Sequence, residues 1–293
     1  MSAPATMPDF IIIGAMKCGT STLQAQLAAQ PGFFMTTPKE PNFFSDDDVF
    51  ARGMDWYSAL FAGAAPSDLK GEASTHYTKL PTHPNTLERL AAAAPDAKLI
   101  YLMRHPIDRL VSHCIHEWTM GEVRGDINAA DPASPFVAYG QYYRQLAPYL
   151  ERYGKGRILP MFLERMNASS DAELQRVALF LGLGGDIAWR HDLGAQNVSR
   201  ERIRKFPLYD LLVESAPATA LRRTLAPRAL RDWIKARLQM RQRPSLSPEK
   251  EQELAELFDE DLKQLGGLLG VYLNCANFKE TVRSRSLNWV AKD

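Results

Sequence analysis

Residues 10–28 read FIIIGAMKCGTSTLQAQLA. A short apolar run, Phe10 to Ile13, meets Gly14. Lys17 and Cys18 then precede Gly19, and the hydroxyl residues Thr20, Ser21 and Thr22 follow. A turn of this kind between a strand and a helix aims backbone N–H groups at an anion, and the helix N-terminus adds partial positive charge. Lys17 adds a full charge, and the hydroxyls add donors. A bland reading also exists: a plain turn with a solvated lysine and a capping threonine. The ordered run of strand, lysine, glycine and three hydroxyls argues against it. The spacing differs from the ATPase pattern G-x-x-x-x-G-K-[ST]. Here the lysine stands two residues before the second glycine instead of directly after it.

A second charged position sharpens the chemistry. KLIYLM (98–103) reads as a buried strand, and Arg104 stands at its C-terminal end. Triphosphatases with a phosphate loop hold magnesium through an acid near such a strand end. A cation there repels magnesium and attracts a further phosphate. The two positions together call for a nucleotide with two separate anionic groups, bound without a metal.

The elements that must position these residues alternate. FIII, KGEAS (70–74), KLIYLM and RILPMFLE (157–164) read as strands, with Pro160 marking the last as an edge or a bulge. Helical patterns follow them in TSTLQAQLAAQ, in PNTLERLAAAAPDA, from Pro106 through IDRLVSHCIHEW, in FVAYGQYYRQLAPYLERYG and in DAELQRVALFLGL. Residues 121–135 read as a polar surface loop. This order predicts an α/β fold with an open, mostly parallel sheet covered by helices, and ligands at the carboxyl ends of its strands. Arginines and prolines crowd residues 200–243. A last helix, SPEKEQELAELFDEDLKQLGGLLG, carries leucines and Phe258 at helical spacing and is expected to pack back on the rest. One domain over 1–293 is expected, with a core of about 8–195 and helical C-terminal parts over about 200–275.

The chain has 293 residues, 45% hydrophobic and 24% charged, with formal net charge +1. The near-neutral balance gives no global case for nucleic acid. Three scattered cysteines, Cys18, Cys114 and Cys275, form no metal spacing and no disulfide framework. The first residues lack the pattern of a signal peptide, and no apolar run approaches the roughly 20 residues of a membrane span. A cytoplasmic protein is the expectation. The arginine-rich segment leaves peripheral contact with a membrane surface or an anionic acceptor open, although such a run is more often a solvated helix face. Oligomeric state is not readable.

IIIGAMKCGTSTL resembles the 5′-phosphosulfate loop of sulfotransferases that use 3′-phosphoadenosine 5′-phosphosulfate (PAPS). LIYLMRHPIDRLVSHCIH resembles their 3′-phosphate motif, an arginine at the strand end with a serine eight residues on, here Arg104 and Ser112. PKEPNFFS, GEAST, RILPMFLE, ALFLGL and the leucine-rich last helix extend the likeness over most of residues 8–270. It is nearest to bacterial members and to the heparan sulfate enzymes. The resemblance implies a P-loop NTPase-like three-layer α/β/α fold with C-terminal helices. It also implies transfer of a sulfuryl group from PAPS to a hydroxyl or amine of a carbohydrate, lipid or small metabolite, with 3′-phosphoadenosine 5′-phosphate (PAP) released. Lys17 matches the lysine that stabilises the transferring sulfate and departing phosphate. Cys18 lies within the loop, and Gly19, Thr20, Ser21 and Thr22 match its 5′-phosphate cradle. Asn197, Ser199 and Arg200, in GAQNVSRERIRKF, are candidates for the family's late loop over the 3′-phosphate and adenine. Two rivals stay in view: a P-loop kinase or NTPase, and a non-catalytic nucleotide-binding protein.

An attacking hydroxyl must lose a proton, so a base is expected. In TTPKEPNFFS, Glu40 matches the glutamate proposed as base in heparan-type members, and Lys39 becomes a sulfate or acceptor contact. In KGEASTHYTKLP, His76 lies where cytosolic members carry a catalytic histidine, and an imidazole suits a base at neutral pH. The heparan-type lysine after the strand glutamate is replaced by Ala73, which follows Glu72. Glu40 ranks first and His76 second. His105, His113 and His116 read as structural or solvent-facing. Cys18 reads as a small residue that fits. Phe43, Phe44, Tyr77 and Trp118 read as packing before acceptor lining.

Overall fold

The structure is a computed structural model that describes residues 6–120, 126–185, 187–194 and 244–290. Asn197, Ser199, Arg200 and the arginine-rich segment 200–243 lie outside the described residues.

Five strands form one parallel sheet: β1 (Phe10–Gly14), β2 (Phe33–Met35), β3 (Leu69–Ala73), β4 (Lys98–Met103) and β5 (Ile158–Phe162), in the order β2-β3-β1-β4-β5. All five residues of β1 are buried, which suits the central strand of a parallel sheet covered on both faces. Ile11 pairs with Glu72 on one side and with Leu99 on the other. The carboxyl ends of β1, β3 and β4 therefore lie side by side, and the loops that leave them share one edge.

Helices follow the strands: α1 (Thr20–Ala28), α2 (Asp47–Phe50), α3 (Gly53–Ala59), α4 (Thr86–Ala93), α5 (Pro106–Met120), α6 (Pro135–Ala138), α7 (Tyr142–Tyr153), α8 (Leu163–Ala168), α9 (Ser170–Leu181), α10 (Pro248–Leu269) and α11 (Phe278–Ser284). Pro106 opens α5, where its missing N–H costs no helical bond. Gly182, at φ 87°, closes α9 in the left-handed conformation that glycine tolerates. β5 is the outer strand of the described sheet, in keeping with Pro160. Side chains cover its open carbonyls: Trp289 Nε1 donates to Ile158 O at 2.6 Å, and an Arg176 Nη2 proton goes to Pro160 O at 2.9 Å.

Two sequence expectations need correction. β2 was not foreseen. It is only three residues long, too short for a period, and is created by pairing of Phe33 to Met35 with Leu69 to Gly71. The single helix expected over FVAYGQYYRQLAPYLERYG is two, α6 and α7. The break falls at Gly140, where an added Cβ would lie 2.9 Å from Phe258 Cε1 and 3.2 Å from Arg109 Nε. The turn is thus pressed against α10 and α5, and no side chain fits.

Helix α10 packs back as its apolar spacing requires. Ser247 caps it by accepting from Lys250 N at 3.2 Å, and Leu254, Phe258, Leu262, Leu265 and Leu269 are buried. From the same face Asp261 accepts from Tyr143 N at 2.9 Å and Arg144 N at 3.0 Å. α10 therefore supplies the N-terminal cap that α7 lacks in its own sequence. Burial pushes the Asp261 carboxyl up to about 6 despite these donors. Phe258, with no exposed surface, anchors this contact. Phe258→Ala is expected to cost about 3–5 kcal/mol, read as a lower midpoint in urea unfolding; a midpoint unchanged within error would show that α10 is not integral to the folded unit.

Candidate nucleotide and sulfuryl-transfer site

The turn after β1 is wound through unusual backbone conformations. Lys17 has φ 69° and Gly19 φ 93°. A left-handed non-glycine residue costs on the order of 1–3 kcal/mol and is retained where the surroundings or a function require it. Gly19 stands at the N-cap of α1, and no side chain caps that helix. The first N–H groups of a helix have no intrahelical acceptor. Thr22 N turns back to Gly19 O at 3.1 Å, and no side chain occupies the capping position ahead of it. Thr20 is buried, while Ser21 and Thr22 are half-buried on the first turn of α1.

Arg104 follows β4 and reaches back to this turn, its Nη1 donating to Lys17 O at 3.4 Å. The Tyr142 hydroxyl holds the two parts together. It donates to Arg104 O at 2.6 Å, accepts from Arg104 N at 3.3 Å, and lies 3.6 Å from Cys18 Sγ. Cys18 has no exposed surface, and burial pushes its thiol up to about 11. It is therefore an inert packing residue of the loop. Ser112 is buried on α5, six residues after the Pro106 that opens it. Arg104 thus meets the turn that carries Lys17, Gly19, Thr20, Ser21 and Thr22 at the ends of β1 and β4, and Ser112 lies further along α5.

The end of β3 carries the proton-transfer candidates. Residues after β2 continue alongside β3, with Thr36 N donating to Gly71 O and Glu40 N to Ala73 O, both at 3.0 Å. Glu40 has φ 58° and Asn42 φ 52°, so the PKEPN segment is tightly wound. The Glu40 carboxylate is paired with the Lys39 ammonium. Beneath this segment lies Glu72, with no exposed surface, accepting from Tyr57 Oη at 2.9 Å. Phe43, Phe44 and Tyr77 pack around it, as the packing reading of these three anticipates, and Tyr57 joins them. Burial pushes the Glu72 carboxyl up to about 7, against stabilising hydrogen bonds from Tyr77, Tyr57 and Ser74.

After β3 a turn over Thr75–Thr78 packs on the end of β1, with Ser74 N donating to Ile12 O at 3.1 Å and Thr78 Oγ1 to Ile13 O at 2.8 Å. His76 projects from it, 27% exposed, with Nδ1 3.0 Å from Asp46 Oδ1. His83 stacks on its ring at 4.7 Å, and His83 Nδ1 lies 3.7 Å from the same oxygen. Asp46 and His83 also line a cavity of about 610 Å³ with Asp47, Asp48 and Asn85. Among the described residues Asp46, His76 and His83 are the trio whose ligand atoms approach within 4.8 Å.

Four residues near the site escaped the sequence reading. Asp46 sits inside the run SDDDVF, and His83 inside LPTHPN; neither has a fixed spacing to His76. Tyr142 opens a helix 38 residues after Arg104. Lys79 follows the His76 turn, and burial lowers its ammonium pKa while the charges of Glu40, Glu117 and Asp46 oppose the shift. Its ammonium lies 5.8 Å from the centre of the Tyr139 ring. His105 is structural: its backbone N–H donates to Glu164 Oε1, its Nε2 lies 3.0 Å from Cys275 O, and burial lowers its pKa. His113 is buried 3.2 Å from Glu117.

A parallel sheet with a turn after its central strand that no side chain caps, and Arg104 at the end of the neighbouring strand, defines a P-loop-like α/β protein. The sulfotransferase domain family matches residues 7–266, and the chain belongs to that family. The mouse heparan sulfate glucosamine 3-O-sulfotransferase 3B1 is 31% identical over 201 residues, covering 63% of this chain and 48% of the relative. The human bifunctional heparan sulfate N-deacetylase/N-sulfotransferase 2 is 25% identical over 198 residues, covering 60% of this chain and 22% of the relative. The chain thus spans about half or less of the length of these curated relatives. A sulfotransferase from Alicyclobacillus acidocaldarius shares the fold, with TM-score 0.65, 22% identity, and coverage of 92% of this chain and 98% of that one.

Glu72 gives a pH prediction. Its folded pKa is raised above the unfolded carboxylate value, so its contribution to stability is fully present below about pH 4 and is lost as pH rises through about 7. The loss is on the order of 3 kcal/mol. Glu72→Gln is expected to flatten the denaturation free energy between pH 5 and 8.5. A slope equal to the wild type over that range would remove Glu72 as its source.

Proposed function

We propose that the protein transfers a sulfuryl group from PAPS to a hydroxyl or amine acceptor, releasing PAP. The observation that carries this reading is the bond from Arg104 Nη1 to Lys17 O. It brings the Arg104 guanidinium to the backbone of the turn that carries Lys17, at the ends of β1 and β4 and next to a helix N-terminus that no side chain caps. Family membership and the sulfotransferase names of the relatives, one of them a heparan sulfate glucosamine 3-O-sulfotransferase, support it. The relatives also make a glucosamine-containing carbohydrate a first acceptor to try.

In this reading the chain's own groups act mainly by alignment and charge stabilisation. The α1 N–H groups, Thr20, Ser21 and Thr22 bind the 5′-phosphate. Lys17 holds the charge that develops on sulfate and phosphate oxygens during in-line displacement. Arg104 and Ser112 bind the 3′-phosphate. Glu40 and His76 flank the end of β3, where the acceptor proton must leave. Asn197, Ser199 and Arg200 are proposed to complete the nucleotide site.

Lys17→Ala is expected to lower turnover at least about 100-fold, the scale of losing one transition-state donor, with the unfolding midpoint retained. Near-normal turnover would remove Lys17 from the mechanism. Arg104→Ala is expected to weaken PAP binding about 10- to 100-fold, as loss of a charged phosphate contact does. Calorimetry with PAP and, separately, with ATP and magnesium decides between this reading and a kinase or NTPase; preference for the latter would overturn the sulfuryl assignment.

A further inference from the structure

We infer that Asp46 is a positioning residue that fixes His76 in the tautomer able to take the acceptor's proton. This rests on the sulfuryl-transfer reading and adds to it the destination of that proton.

The chemistry of the hydrogen bonds sets the tautomer. Hydrogen bonds from His76 and Ser45 outweigh burial and hold the Asp46 carboxyl below the usual range, so it is an anion and only accepts. The atom facing it at 3.0 Å, His76 Nδ1, is then the donor. A neutral imidazole carries one N–H, so its lone pair resides on Nε2. Among the described residues Nε2 has no hydrogen-bond partner. His83 is held the same way, its Nδ1 3.2 Å from the carbonyl of Ser45, an acceptor only. Burial, followed by the neighbouring His76, lowers the His83 pKa and favours its neutral form. Its ring stacks on His76 at an interplanar angle of 18° and fixes the ring plane.

The same details argue against a metal at this trio. Both Nδ1 atoms carry protons, and two nearly parallel rings cannot both direct an in-plane lone pair at one ion. Glu40 differs in kind, because its carboxylate is already paired with Lys39.

The step balances. The acceptor O–H or N–H bond breaks, and its electron pair forms the bond to sulfur. The bond from sulfur to the 5′-phosphate oxygen breaks, and that pair leaves with PAP. The proton goes to His76 Nε2, and the imidazolium formed is paired with Asp46, which stays ionised.

The test combines a mutant cycle with a spectroscopic signature. PAP release from PAPS is followed with a glucosamine oligosaccharide as acceptor. Asp46→Asn is expected to lower kcat about 10- to 100-fold with PAP affinity unchanged, the scale of a misaligned base. In a His76→Asn background the same change is expected to alter kcat by less than about twofold. Additive losses, or a Glu40→Gln loss with His76→Asn near normal, would overturn the inference. Nitrogen-15 spectra of the PAP-bound protein are expected to show the Nδ1–H tautomer of His76, lost in Asp46→Asn; an Nε2–H tautomer in the wild type would overturn it without any acceptor. Zn²⁺ binding in calorimetry that His83→Ala abolishes would also overturn it. Failure to bind PAP speaks instead against the sulfuryl reading, so the two failures are distinguishable.

Discussion

Everything at this site depends on the parallel pairing of β1 between β3 and β4. Parallel strands start at the same end of the sheet and finish at the same end. Three loops distant in sequence therefore leave the sheet within reach of one another. The pairs Ile11 with Glu72 and Ile11 with Leu99 fix how far each strand runs before its loop begins. A slip of one residue would turn every side chain of the slipped strand to the other face. It would bury a group meant for the ligand and expose one meant for the core.

The cost of this arrangement is concentrated in the loops. Lys17, Glu40 and Asn42 all adopt left-handed backbone, and a buried carboxyl, Glu72, lies under the segment that carries Glu40. The aromatic layer of Phe43, Phe44, Tyr57 and Tyr77 ties that segment to Glu72 and the core through burial and hydrogen bonds. A site that works by alignment gains from such anchoring.

The sheet and the turn from β1 into α1 were legible because both depend on local order. Apolar runs of four to six residues, each ending at a glycine or a charge, mark β1, β4 and β5. The lysine, glycine and hydroxyl sequence marks the helix start. What could not be read depends on tertiary contact. β2 is a strand only because β3 is there to pair with it. The break at Gly140 exists because Phe258 and Arg109 press on it from other helices. Asp46 becomes more than one acid in an acidic run only when His76 and His83 are folded onto it. The late-loop residues Asn197, Ser199 and Arg200 remain proposals from the resemblance alone.

The Tyr142 hydroxyl, which joins the backbone of Arg104 to the Cys18 loop, acts as a gauge. It clamps the two cationic positions at a set separation, and α7, capped in turn by Asp261, holds the clamp steady. Under the proposed sulfuryl-transfer reading, a nucleotide with two anionic groups gains from both cations, and one lacking the second phosphate gains from only one. Selection then comes from a spacing built into the scaffold, with no dedicated group needed to repel the wrong ligand.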